Sequence, residues 1–386
     1  MDFSLSDDQE SLLSALDKSL SPFDDDYWLN CDRSGDFPEQ FVKAMAEGGW
    51  LGIAMPEDVG GSGLGVADAA LMMMAVAGKG GMSAASAIHM NIFGPKSLTT
   101  FGSKEQCQRW LPDIIAGKTR MCFAVTEPNT GLDTTRLKTR AVRKGDRYIV
   151  NGHKVFISTA QIANKIMMIA RTSPRDDSNP AAGLSLFFTD LDRSKIDVRL
   201  IDKMGRKAVD TNELFIDDLE IPVEDLVGEE GKGFTYLLHS LNPERILIAA
   251  EAIGIGHDAL RRATQYAKER VVFERPIGMN QSIQHPLAAG WAQLEAAKLM
   301  MLKAASLYDS GKPCGVEANA AKYLAAETGQ DICRQAMATH GGMGYAREFH
   351  VERLFREIMI PYLAPVSQQL VLCYIAERAL GLPKSY

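Results

Sequence analysis

From about Asp7 to Gly117 the apolar residues recur mainly at helical spacing, interrupted by helix breakers at Pro22, Pro38, Pro56, the Gly60-Gly61-Ser62-Gly63 stretch and Gly80-Gly81. This pattern predicts an all-helical first part. Between Thr119 and about Val227 the period changes to short strands, MCFAVTE, RLKTRAVRKGDRYIVNGHKVFIS, KIMMIARTS, LSLFFTDL and NELFIDDLEIP, which predicts a small β-domain. After Gly231-Lys232-Gly233 helical spacing returns and persists, with long segments at Phe234 to Val271, Gln281 to Ser310 and Glu317 to Thr339. The expected domains are therefore 1–118 (helical), 119–231 (β) and 232–386 (helical), packed as one unit because no repeat or low-complexity linker separates them.

Composition narrows the function classes. The 386 residues are 46% hydrophobic and 24% charged, as in ordinary soluble globular proteins, and are enough to bury a large core. A formal net charge of -7, with no basic run interleaved with aromatics, argues against nucleic acid and leaves a small partner as the expectation. The six cysteines (Cys31, Cys107, Cys122, Cys314, Cys333, Cys373) form no C-x-x-C pair, so neither a metal site nor a disulfide framework is indicated and a reducing compartment fits. The start, MDFSLSDDQESLL, is acidic and lacks a secretory signal, and no apolar run reaches membrane-spanning length, so a cytoplasmic protein without membrane insertion is expected. Gly61-Ser62-Gly63-Leu64-Gly65 does not match G-x-G-x-x-G and follows no clear strand, which makes it a connection rather than a dinucleotide loop.

One loop carries candidate chemistry. In Phe123 to Asp133, FAVTEPNTGLD, a strand end meets the turn formers Pro128, Asn129 and Gly131, while Thr126, Glu127 and Asp133 offer side-chain hydrogen bonds. Alone, this is equally a polar turn between two strands. Three later segments, Lys154 to Ser158, Lys203 to Phe234 and Tyr266 to Ala288, follow in order, and HGGMGYAREFHVERLFRE closes the series from His340 to Glu357. Together these segments make the chain resemble the acyl-CoA dehydrogenase family over nearly its whole length, although no single motif would suffice.

The resemblance implies an α+β fold with an N-terminal helical domain, a middle β-barrel-like domain and a C-terminal four-helix-bundle domain. It further implies FAD, an acyl-CoA substrate, an electron-transfer flavoprotein as partner, and a homotetramer or homodimer. Its flavin contacts map to Phe123, Val125, Thr126, Gly131, Leu132, Phe156 and Ser158, with Val125 and Thr126 at the pyrimidine edge, Phe156 on the ring and Ser158 near N5. Arg270, Phe273 and Gln281 match positions that reach FAD across a subunit boundary, as do Gly342, Ser367 and Gln369. Asn242 and Arg245 fall at expected substrate contacts. Leu132 stands where a serine is usual and cannot hydrogen-bond there.

The base differs from that of many relatives. Their C-terminal glutamate position is occupied here by Pro365, which also removes an N–H that commonly donates to the thioester oxygen. A smaller group carries the base on the first long helix of the last domain, immediately before an arginine, and Asn242-Pro243-Glu244-Arg245 stands there. Glu244 lies three residues after Leu241 and four before Ile248, on an apolar stripe where a carboxylate is costly unless used or paired. Burial would raise its pKa toward the range of a general base. The competing readings are an ion pair with Arg245 or a neighbouring arginine, and Glu251 on the same stripe as the base. For the protein as a whole the alternatives are a flavin-dependent oxidase or monooxygenase on the same fold, or a catalytically silent assembly subunit. His89, Met90 and Ile248 to Ile255 are candidates for the floor of the acyl pocket; chain length is not legible.

Overall fold

The computed structural model describes residues 4–385, so the first three residues of the acidic start lie outside it. The first helical part comprises α1 (Asp7–Leu20), α2 (Asp25–Ser34), α3 (Glu39–Glu47), α4 (Val66–Phe93), α5 (Lys96–Phe101) and α6 (Lys104–Ile115). Reciprocal capping boxes, Ser6 with Gln9 and Ser103 with Gln106, start α1 and α6. Gln106 also donates through Nε2 to the carbonyls of Glu224 and Leu226, tying α6 to the β-domain.

The sheet domain contains β1 (Met121–Ala124), β2 (Arg140–Lys144), β3 (Arg147–Ser158), β4 (Lys165–Arg171), β5 (Leu184–Asp190), β6 (Ile196–Leu200), β7 (Thr211–Pro222) and β8 (Leu226–Val227). Its order is β6-β7-β3-β2-β4-β5-β8, with β1 parallel to β4. Ala141, Val150, Ile166, Phe187, Ile196 and Leu214 share one core although their strands span the sheet from β5 to β6, so the sheet rolls around its own interior. The rolled strands are not all short, since β3 and β7 run to 12 residues each.

The last part holds α7 (Gly233–Glu269), a hairpin of β9 (Val271–Val272) and β10 (Arg275–Pro276), α8 (Gln281–Asp309), α9 (Gly315–His340), α10 (Val351–Glu357), α11 (Met359–Leu363) and α12 (Gln368–Leu380). Helices α7, α8 and α12 all pack on α9, which forms the bundle. One continuous core joins α4 to α7, α8 and α9, with Met73, Val76, Ile88, Ile248, Ile253, Leu294 and Ala325 fully interior. The flanking helical parts therefore share a single interior across the chain's ends.

Gly80-Gly81 breaks α4, as the sequence predicts: Gly81 leaves helical geometry, at φ 72 and ψ -162, and a second helical stretch starts at once. A distant carboxylate makes this possible. Glu357 accepts from the Ser83 N–H at 3.1 Å and from Ser83 Oγ at 2.6 Å, capping the second half of α4 as an N-cap side chain would. A Cβ at Gly81 would lie 2.5 Å from Glu357 Oε2, so both the positive φ and the space require glycine. Taken across this kink, the Val66–Phe101 stretch is long and apolar enough to cross a membrane, contrary to the reading from the sequence. Its apolar window is 78% buried inside the protein, as expected of a core helix.

Candidate active site

The loop after β1 is organised by Glu127. Its buried carboxylate accepts from the N–H groups of Lys138 (2.7 Å) and Thr139 (2.9 Å) and from Lys154 Nζ (3.1 Å). Burial pushes the Lys154 pKa down to about 8, against the pull of Glu127. Lys154 Nζ also donates to the Val125 carbonyl, and the Val155 N–H donates to the Thr126 carbonyl at 3.0 Å, so both expected contacts are fixed to β3. Gly131 and Leu132 are exposed at the loop tip, and Asp133 closes the turn by accepting from Thr135 Oγ1 and Arg136 Nε.

A bulge turns Phe156 outward. In the β3–β7 ladder Lys154 faces Leu214 and Ile157 faces Asn212, so β3 carries one extra residue across this step. Phe156 takes φ 60 there, and its ring is 66% exposed while Val155 and Ile157 are buried. Two residues on, Ser158 Oγ accepts from Arg206 Nη2 at 3.0 Å. Arg206, itself at φ 55, is buried and also donates to Thr211 Oγ1 (2.6 Å) and Ser86 Oγ (3.3 Å). Nothing in the sequence marked Arg206, because its partners come from three separate segments.

Glu244 lies on α7, close enough to His89 for their charges to interact. Its carboxylate makes no hydrogen bond or ion pair among the described residues, and Arg245 instead donates to Asn242 Oδ1 at 3.2 Å. The structure therefore removes the Glu244–Arg245 ion pair as a reading. Glu244 is partly accessible, yet burial raises its pKa to about 7, opposed by the charges of His89 and Arg245 and assisted by Glu251.

Glu251, two turns along the same stripe, is paired. Its Oε1 lies 2.6 Å from His89 Nδ1, with both residues buried. Burial opposes charging of His89, but the Glu251 carboxylate prevails and raises its pKa. His89 contacts the Phe93 ring, which meets Phe123 edge-on at 5.2 Å, so this pair connects to the loop described above.

A buried lysine missed by the sequence reading holds the Pro365 loop. Lys322 Nζ donates to the carbonyls of Tyr362 (3.3 Å) and Val366 (2.8 Å) and to Gln368 Oε1 (2.7 Å). The Ala364–Pro365 peptide between these carbonyls is cis. Ser367 caps α12 by accepting from the Leu370 N–H, and Gln369 is exposed beside it.

The remaining expected contacts sit elsewhere. Arg270 ends α7, Phe273 is 92% exposed at the tip of the following hairpin with φ 50, and Gln281 opens α8. Gly342 lies nearby, since His340 at the end of α9 stacks on Tyr266 of α7 at 4.3 Å. Along α7, Arg270 is about 39 Å from Glu244 at the rise of an α-helix. Phe123 is linked through Phe93 to His89, whose charge is felt at Glu244, while Arg270, Phe273, Gln281 and Gly342 lie at the far end of α7.

Comparison with known proteins identifies the family. The acyl-CoA dehydrogenase N-terminal, middle and C-terminal domain models match residues 6–118, 122–219 and 231–379. The chain is 34% identical over 390 residues to the acyl-CoA dehydrogenase fadE12 of Mycobacterium bovis, covering 99% of this chain and 98% of the relative. It is 35% identical over 330 residues to the caffeyl-CoA reductase-Etf complex subunit CarC of Acetobacterium woodii, covering 85% and 86%. Among solved structures, the FAD complex of PigA superposes with a TM-score of 0.93 at 27% identity, covering 99% of this chain and all of that one. The protein belongs to the acyl-CoA dehydrogenase family, a family of FAD-dependent oxidoreductases. The exposed Phe156 ring beside the anchored Ser158 hydroxyl fits a flat, partly apolar cofactor with hydrogen-bonding edges.

Proposed function

We propose that the protein oxidises an acyl-CoA to its 2,3-enoyl-CoA, with Glu244 abstracting the α-proton. The observation that carries this reading is an unpaired, partly accessible carboxylate on an apolar helix stripe, with its pKa raised to about 7. A base so placed is ionised in a useful fraction at neutral pH and is basic enough to take a weakly acidic proton. Bound FAD supplies a hydride acceptor at N5. Phe156 would support the ring face, Val125 and Thr126 would address one ring edge, and the Ser158 hydroxyl, fixed by Arg206, would serve the N5 side.

Asn242, whose oxygen is used by Arg245, keeps an amide donor for the pantetheine portion. Lys322 sets the shape of the loop that stands where many relatives carry their base. Arg270, Phe273, Gln281 and Gly342, about 39 Å from the base along α7, serve the flavin of a neighbouring chain in a homotetramer or homodimer. Ser367 and Gln369, at the start of α12, serve the same neighbouring cofactor. Electrons leave to an electron-transfer flavoprotein, as the name of the caffeyl-CoA reductase-Etf relative suggests. Six free cysteines among the described residues suit a cytoplasmic setting.

Anaerobic titration of the purified flavoprotein with a panel of acyl-CoA thioesters tests this. The right substrate bleaches the flavin in wild type and fails to do so in Glu244→Gln, which retains FAD. No bleaching by any thioester, or full activity in the variant, overturns the reading.

A further inference from the structure

A buried cation lies one hydrogen bond behind Ser158 without an anion to match it. Arg206 is 6% exposed, and its hydrogen bonds go to three neutral hydroxyls, those of Ser86 (3.3 Å), Ser158 (3.0 Å) and Thr211 (2.6 Å). It makes no ion pair among the described residues; Asp210, Glu357 and Glu251 act on it only through charges beyond ion-pair distance. Other buried arginines are served differently. Arg353 has Glu357 at 3.4 Å, and Arg171 donates to the carbonyls of Thr135, Leu137 and Ala182. A guanidinium taken out of water and given only hydroxyls is the costliest of these arrangements, and its charge stays free to act on what stands at Ser158. Ser158 itself is half-buried, beside the exposed ring of Phe156.

The chemistry proposed for this edge supplies the missing charge. A hydride is one proton with two electrons, so a flavin that accepts one at N5 gains one unit of negative charge. With Ser158 hydrogen-bonded to the ring, two hydrogen-bond lengths, about 6 Å, separate the ring from the guanidinium. Opposite charges at that range, in the effective dielectric of a protein site, shift an equilibrium by roughly ten- to a hundredfold.

We infer that Arg206 sets the reduction potential of the bound FAD: its unmatched charge, presented through Ser158, favours the reduced ring and so the acceptance of the hydride. This rests on the flavin placement in the reading above. Arg206 touches neither substrate nor cofactor; it is a positioning residue that orients Ser158 and supplies a fixed field.

The test is a reductive titration of the holoenzyme with dithionite against a reference dye, without acyl-CoA, on wild type, Arg206→Met and Arg206→Lys. Arg206→Met should lower the potential by about 30–60 mV, a ten- to hundredfold change for a two-electron couple. Arg206→Lys keeps the charge and should keep most of the wild-type potential. A clamp that only held three segments together would move both variants alike, so equal falls in the two, or no fall in Arg206→Met, overturns the inference. Where either variant fails to fold or to hold FAD, wild type decides: its FAD should be easier to reduce than free FAD titrated alongside, and a bound potential at or below the free one overturns the inference. Because no thioester is present, the dehydrogenase reading is judged separately. Bleaching by an acyl-CoA with an unmoved potential in Arg206→Met sinks this inference alone, and a lowered potential without bleaching by any thioester sinks only that reading.

Discussion

Glu244 and Glu251 occupy the same face of the same helix two turns apart, and the protein treats them oppositely. Glu251 is sealed in and bound to His89 at 2.6 Å, whereas Glu244 has no partner, keeps some access, and carries a pKa raised to about 7. The backbone of α7 cannot account for the difference. It comes from α4, which presents a histidine to one carboxylate and only a distant charge to the other. A buried carboxylate with a partner is structure or recognition; one without a partner, beside an opening, is available for chemistry.

The largest expected break in this comparison is kinetic. Glu244→Gln should lower the rate of flavin reduction by about 10²–10⁴-fold, the usual contribution of a positioned general base, as stopped-flow bleaching under anaerobic conditions would measure. The opposite change is expected in stability. Because the folded pKa of Glu244 lies above its ordinary value of 4.5, its ionised form costs stability that is absent below that pH and fully felt above about 7. Urea unfolding at pH 8 should therefore find Glu244→Gln at least as stable as wild type.

His89→Leu should behave in the reverse sense, since it strands the Glu251 carboxylate in the core. Removing one partner of a buried pair costs about 3–5 kcal/mol, which a lowered urea midpoint at unchanged slope would report. Next in size is the pH profile. With Glu244 as base, log kcat/KM should rise with pH and level off through a midpoint near 7, and an Asp at that position should move the midpoint. Smallest is a change off the stripe. Lys322→Met leaves two carbonyls and Gln368 Oε1 without their donor, costing about 1–3 kcal/mol of stability, while the Glu244 pH midpoint stays in place.

Much of this was readable before any coordinates. The helix, sheet and helix order followed from the change of period, and Glu244 from the resemblance of Asn242 to Arg245 to the helix-borne base, supported by its place on an apolar stripe. What periodicity could not supply was partnership across sequence distance. Glu251 shares the pattern of Glu244, and only the approach of His89, 162 positions earlier, separates their roles. The bulge that exposes Phe156 depends on the register against β7, and Arg206 gathers Ser86, Ser158 and Thr211 through a positive φ. The Gly80-Gly81 break was legible because glycine is a poor helix former. The capping carboxylate of Glu357 that lets the helix resume lies more than 270 positions away.

The separation of the two ends of α7 also has a bearing on how the protein must be handled. A flavin held by Phe156 and Ser158 of one chain and by Arg270 and Phe273 of another, on the proposed assembly, is bound by a pair of chains rather than by either alone. Cofactor content then follows mass action in the protein itself, so dilution should bleed FAD from the sample even at constant free FAD, and concentrating it should restore the yellow colour.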